Sequence, residues 1–103
     1  MSDRLTLVVL LYVHPGKVSA FEAFETRVQG IMCRHGGRLE SRIKCGATAT
    51  DPHEIHIVSF ENEAGLAAYR GDPEYLSLAG ARAEAIRETT IFAGAVAPRF
   101  EAP

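Results

Sequence analysis

The run Leu5-Thr6-Leu7-Val8-Val9-Leu10-Leu11-Tyr12-Val13 is apolar on both of its sides. Successive side chains of a strand point to opposite faces, so Leu5, Leu7, Val9, Leu11 and Val13 face one way while Val8, Leu10 and Tyr12 face the other. A strand of this kind belongs where both faces are covered. It holds no Gly or Pro and is stopped by His14-Pro15-Gly16. It is about half as long as a bilayer span requires and lacks a cleavage site of small residues, so it reads as a buried strand and not as a membrane or leader segment.

The rest of the chain supplies the partners of that strand. From Lys17 to His35 the apolar residues Val18, Phe21, Phe24, Val28, Ile31 and Met32 recur at mostly three- and four-residue steps, the period of an amphipathic helix. Glu22, Glu25, Arg27, Gln29 and Arg34 fall on its expected surface. Ser19 with Glu22 fits a capping box, and Gly36-Gly37 supplies a stop. Arg38 to Lys44 alternates, placing Leu39, Ser41 and Ile43 on one side and four charged residues on the other, which suits an edge strand. Cys45 to Pro52 is a loop. Glu54 to Phe60 is apolar enough on both faces to be a central strand. Asn62 caps a helix over Glu63–Arg70 ended by Gly71. Asp72-Pro73 restarts a helix whose expected buried stripe is Leu76, Ala79, Ala83 and Ile86. Thr89 to Val96 reads as the last strand, and Pro98 to Pro103 as a tail.

The resulting order is β-α-β-β-α-β, an α+β ferredoxin-like arrangement with a four-stranded antiparallel sheet whose first and third strands are central. A chain of 103 residues is expected to form one domain over 1–103, with an ordered core over about 5–96. Two helices cover one face of such a sheet. The other face would leave a large apolar patch in water, which soluble monomers rarely do, so a homodimer packed sheet to sheet is expected. On the third strand, Ile55, Ile57 and Ser59 oppose His56, Val58 and Phe60. The Ile55 set is the slightly preferred helix-facing one, because it contains no ionisable group. Eleven basic against thirteen acidic residues give a formal charge of -2, which argues against a nucleic-acid partner. No membrane partner is expected, and the setting is read as cytoplasmic. Cys33 and Cys45 form no C-x-x-C spacing and are read as reduced, Cys33 as a buried small residue and Cys45 as the more exposed thiol.

The order of elements, the His14-Pro15-Gly16 exit, Phe21-Glu22-x-Phe24-Glu25, His35-Gly36-Gly37-Arg38, Ile57-Val58-Ser59-Phe60 and Asp72-Pro73-Glu74-Tyr75 with Arg82 together resemble the dimeric α+β barrel superfamily. The branch they are most similar to holds small bacterial proteins of unknown function, distantly related to cofactor-independent antibiotic-biosynthesis monooxygenases. The resemblance implies a barrel formed across a dimer and a pocket in each subunit. It implies a chemistry drawn from a range that includes polyphenol oxygenation, lactone isomerisation and haem degradation. The chain has no Trp and no Asn on its first or third strand, so the Asn-Trp-His sets of the cofactor-free monooxygenases are not reproduced.

The antiparallel pairing of the first and third strands is expected to bring His14 toward His53 and His56. The candidate catalytic residues are therefore His14 and His56, as acid and base near neutral pH. Against this stands the plainer reading of His14 as a turn residue and His56 as a hydrogen-bonded core residue. Candidate ligand contacts are Tyr12, Ser59, Tyr75 and Arg82. The planar fork of Arg82 suits a carboxylate or enolate, and residues three and four away from it offer no acidic partner. His53 and His56 point to opposite faces, so no metal site is expected. No glycine-rich phosphate loop follows a strand, and no cofactor is expected. Three functions stand at this level: a cofactor-independent oxygenase or isomerase of a small aromatic or carbonyl metabolite, a non-catalytic small-molecule binding or stress-related module, or a haem protein using His14, His35, His53 or His56.

Overall fold

The computed structural model describes residues 4–101, so the expected bounds of 1–103 and the last two residues of the expected tail lie outside the described residues. The elements are β1 (Leu5–Val13), α1 (Val18–Arg34), β2 (Gly37–Lys44), β3 (Glu54–Phe60), α2 (Glu63–Arg70), α3 (Pro73–Ser77), α4 (Ala79–Ala85) and β4 (Ile86–Gly94). The strands form one antiparallel sheet in the order β2-β3-β1-β4, with β1 and β3 central as expected. Phe21, Phe24, Val28, Ile31 and Met32 of α1 are buried against Leu7 and Leu11 of β1, and Leu66, Tyr69, Leu78 and Ala85 complete the same core.

The pairing of β1 with β3 fixes what lies under the helices. Leu7 is opposite Val58, Val9 opposite His56 and Leu11 opposite Glu54, and residues paired across a ladder share a face. The His56, Val58 and Phe60 set therefore faces the helices, and Ile55, Ile57 and Ser59 face away. This reverses the expected preference. An ionisable group was counted as a burial cost, but Glu54 occupies the same phase two residues earlier and takes up the imidazole N–H, so the pair is buried together.

A register shift between Leu39 and Ser41 corrects the reading of β2. Leu39 packs against the core, whereas Ser41 and Ile43 pair with Ile57 and Ile55 on the opposite face. The bulge re-aims the strand and turns Arg42, opposite His56, toward the helices. At the start of α1 no side chain caps the helix, because Ser19 already lies inside it. Asn62 accepts from Gly65 N–H at 2.9 Å and Asp72 from Glu74 N–H at 2.8 Å, as expected of N-caps. The second helical region breaks once more at Leu78, whose N–H bonds Tyr75 C=O at 3.0 Å. That turn shifts the helical phase, so Leu78 and Ala85 are buried while Leu76, Ala79 and Ala83 are exposed. Ile86 is buried, but as the first residue of β4, which begins three residues before Thr89 and ends at Gly94. Cys33 is exposed, contrary to expectation, and Cys45 is exposed in accord with it.

The face turned away from the helices carries Val8, Leu10, Ile55 and Ile57, half-buried, together with Ile43 and Phe92, the latter 59% exposed. No described helix is long and apolar enough to cross a membrane.

Gly65 sets the closeness of α2 to the end of α1: a Cβ there would stand 2.5 Å from the His35 carbonyl oxygen. Gly65→Ala is predicted to destabilise the fold by about 1–3 kcal/mol through backbone overlap. Gly80→Ala in α4, where a Cβ meets nothing within 4 Å, is predicted to be neutral or stabilising by up to about 1 kcal/mol. Urea denaturation of the two variants checks the contrast.

Candidate functional site

Between the inner sheet face and the helices lies a cavity of about 100 Å3. Its apolar walls come from Leu7, Val9, Phe24, Val28, Val58 and Ile91, and its polar groups are Glu25, Gln29, His56, Tyr69, Arg70, Tyr75, Arg82 and Thr89. These arise from five elements and the β4 edge, so the sheet phase and the breaks after α2 and α3 together decide which side chains meet.

A buried carboxylate organises one wall. Glu54 is fully buried, and Arg42 grips it with Nε on Oε1 and Nη2 on Oε2, each at 2.7 Å, the two-pronged geometry that makes guanidinium–carboxylate pairs strong. Arg42 Nη2 also donates to Glu22 at 2.6 Å. Burial alone raises the Glu54 carboxyl, and the hydrogen bonds from Arg42 and His56 outweigh it, leaving the group below the usual Glu value. Glu54 is thus an anion that accepts from His56 Nε2 at 2.7 Å. A carboxylate only accepts, which assigns the imidazole proton to Nε2. In the neutral ring this leaves the Nδ1 lone pair, 3.9 Å from Glu25 Oε2, as the basic position.

Glu25 answers from α1. Burial raises its carboxyl above the usual Glu value, and the nearby His56, Gln29 and Arg82 only partly offset this. Across the cavity, Tyr69 and Tyr75 pack with ring centres 4.6 Å apart and planes inclined at 44°. Burial, with Tyr75 and Glu25 alongside, pushes the Tyr69 phenol well above its ordinary value, so its hydroxyl stays protonated. Arg82 Nη2 donates to Thr89 Oγ1 at 2.7 Å. No carboxylate among the described residues forms an ion pair with it. The cavity is therefore polarised, with Glu25 and the Glu54–His56 pair on the α1 and β3 side and a cationic fork on the β4 side.

Of the residues expected to carry chemistry, His56, Tyr75 and Arg82 line this cavity, and His14, Tyr12 and Ser59 do not. His14 leaves β1 on its β4 side: its N–H bonds Ala85 C=O at 2.9 Å and its Nε2 lies 3.1 Å from Ala83 O, which ties it to the end of α4. His53 is instead bonded to Leu11 and packs edge-on to Phe21, ring centres 5.5 Å apart. Tyr12 is on the outer sheet face, with the Arg87 guanidinium 5.2 Å from its ring centre. Ser59, on that same face, is held by Arg4 at 2.8 Å and by Glu40 at 3.2 Å. His35 is bound to Asp72 at 2.7 Å, so His56 alone of the four histidines reaches the cavity. Among the described residues no group of three or more His, Cys, Asp or Glu is placed to hold a metal ion.

Sequence reasoning missed Glu25 and Glu54. Glu25 was assigned to the helix surface, although it stands four residues after Phe21, three before Val28 and seven before Met32, inside the apolar stripe. Glu54 shares the phase of His56 at a spacing of two. Each position was a readable sign of a buried carboxylate.

Among solved structures the chain is similar to a protein of unknown function from Rhodopseudomonas palustris, at 13% identity over 96% of this chain and 86% of that one, with a TM-score of 0.80. It is similar to SnoaB, a cofactor-independent oxygenase from Streptomyces nogalater, at 20% identity over 99% of both chains and a TM-score of 0.65. A dimeric ferredoxin-like protein of unknown function from Thermobifida fusca matches at 13% identity over 93% of both chains, with a TM-score of 0.66. The fold is ferredoxin-like. At these identities the likeness is one of fold, and it agrees with the resemblance carried by the turn and capping residues. No family model and no curated protein matches the chain.

Because the Glu25 carboxyl holds its proton more tightly in the folded than in the unfolded chain, it weakens the fold as pH rises from the ordinary Glu value through the raised one. Glu25→Gln is therefore predicted to stabilise the protein near neutral pH and to flatten that decline. Urea denaturation at pH 5 and pH 8 measures it; an equal loss of stability at both pH values would contradict the assignment.

Proposed function

We propose that the protein is a cofactor-independent enzyme that removes a proton from a small aromatic or carbonyl metabolite, with His56 as the base. The observation that carries this reading is the orientation of His56, whose Nε2 is committed to the Glu54 carboxylate while the ring borders a mostly apolar cavity. A substrate O–H or C–H proton passes to Nδ1. Glu54 stabilises the imidazolium that results, as a buried carboxylate does for a catalytic histidine. The phenolate or enolate left behind faces Arg82 and the Tyr69 and Tyr75 hydroxyls, groups suited to a developing negative charge. Return of the proton to a different carbon completes an isomerisation; with dioxygen as co-reactant, the electron-rich carbon adds O2 and a proton to give a hydroperoxide, and loss of its remaining C–H proton with O–O cleavage leaves a carbonyl and releases the second oxygen as water. The similarity in fold to a cofactor-independent oxygenase supports this range of chemistry. A cavity of about 100 Å3 is smaller than the dry cavity of about 150 Å3 that holds benzene, which favours a small carbonyl compound, or a single ring only partly enclosed and reaching into the adjoining space lined by Leu66 and Ile91.

A second copy of the chain is the proposed partner, packed sheet to sheet on the face carrying Val8, Leu10, Ile55, Ile57 and Phe92. Support comes from the exposure of that face and from the dimeric ferredoxin-like protein of similar fold. The non-catalytic alternative is favoured by one observation, the 3% exposure of His56, which is also what a fully satisfied core histidine has.

Oxygen uptake and solvent-deuterium exchange with single-ring hydroquinones and 1,3-dicarbonyl compounds separate the two. The enzyme reading predicts turnover that falls by about 100-fold or more in His56→Ala and is unchanged in His14→Ala. Binding without exchange or oxygen uptake in the parent protein, or full turnover in His56→Ala, contradicts it.

A further inference from the structure

The cavity has a neighbour. An open groove between α2 and the β4 edge, about 630 Å3, is lined by Leu5, Leu7, Leu66, Ala67, Ile91 and Ala93 with Glu63 and Arg70. Leu7, Leu66, Arg70 and Ile91 line both spaces, so the groove is the approach to the inner cavity and Arg70 stands at their common rim. Arg70 is exposed, and among the described residues it makes neither an ion pair nor a side-chain hydrogen bond. Glu63, at the opposite end of α2, is seven residues away, about 10 Å along the helix. The acid therefore flanks the outer groove while the cation marks the inner rim.

From this arrangement we infer the substrate class: a small carboxylic acid whose carboxylate is received by Arg70 at the rim while its acidic O–H or C–H reaches His56 inside. The inference rests on the proton-abstraction reading and adds a second anchor to it. A guanidinium at the edge of an apolar space offers a carboxylate paired N–H donors and costs it only partial loss of water. The second cation, Arg82, is deeper, bonded to Thr89, and its charge reaches Glu25. It is thus placed to meet charge that develops during reaction, and Arg70 to meet charge the substrate already carries. Two-point recognition fits a phenol carboxylate or an oxo acid of single-ring size or less. A neutral hydroquinone would use only the inner half of the site.

Matched acid and amide pairs test it on the full-length protein: 4-hydroxybenzoate with 4-hydroxybenzamide, and acetoacetate with acetoacetamide. Binding is followed by NMR shift changes for both pairs, and reaction by deuterium exchange at the carbon between the two carbonyls of the acetoacetyl pair, measured above the uncatalysed rate. The acid of each pair is expected to bind about tenfold or more tightly than its amide. Arg70→Gln is expected to abolish that preference without changing affinity for the amide or the exchange rate at saturation, a split in KM and not in kcat. Equal binding of acid and amide by the parent protein overturns the substrate class, and leaves the base assignment standing where exchange still depends on His56. A preference that survives Arg70→Gln but is lost in Arg82→Gln overturns the rim assignment. Absence of His56-dependent exchange with every compound overturns both.

Discussion

A sheet of four strands with one layer of helices has one covered face, and the rest of this molecule follows from which residues are placed on each side. Sequence polarity alone would put the uncharged Ile55 set under the helices and the histidine outside. The fold does the opposite. It buries Glu54 and His56 beneath α1 and turns Ile55, Ile57, Val8, Leu10 and Phe92 outward. The inward charges are tolerable because each has a partner: Arg42 closes on Glu54 with two short bonds and His56 supplies a third. Removing any one of the three would leave a buried polar group with part of its bonding capacity unmet, at about 1–3 kcal/mol. The outward apolar face has no such internal compensation, which is why a second copy of the chain is the proposed cover.

The same arrangement gives the cavity its chemical character. Because Glu54 is an ion and accepts only, it dictates where the His56 proton sits; because Glu25 is desolvated, the far side of that ring meets a carboxyl that holds its proton more tightly than usual. Arg82, on the short helix before β4, brings positive charge to the opposite wall. The Glu54 anion behind His56 on one wall and the Arg82 cation on the other give each charge that proton removal would develop a fixed group to meet it.

Much of the fold was legible in the sequence. The two-sided apolar strand, the helical period of α1, and the Asn62 and Asp72 caps were each decided by local chemistry and appear where expected. The site was less legible, for identifiable reasons. Strand phase depends on long-range pairing, so the side of His56 could not be read from its own neighbours. The bulge near Glu40 moved Arg42 into contact with Glu54 and depends on the register of an edge strand. His14 was expected near His56 because both lie at one end of the sheet, yet β1 has a neighbour on either side, and the hydrogen bond to Ala85 carries His14 toward β4. Arg82 was found from its lack of an acidic partner at helical spacing, and Tyr75 from its place just after the Gly71–Asp72 interruption between helices, features that do survive in sequence.

The pairing of two outward faces is the claim from which this distribution of charge and apolar surface takes its sense. Sedimentation equilibrium at micromolar concentration addresses it most directly, on the parent protein and on a variant with Ile57→Glu on the outer face. A dimer that the single charge converts to folded monomer is the predicted result. A well-folded monomer for the parent chain would contradict the account.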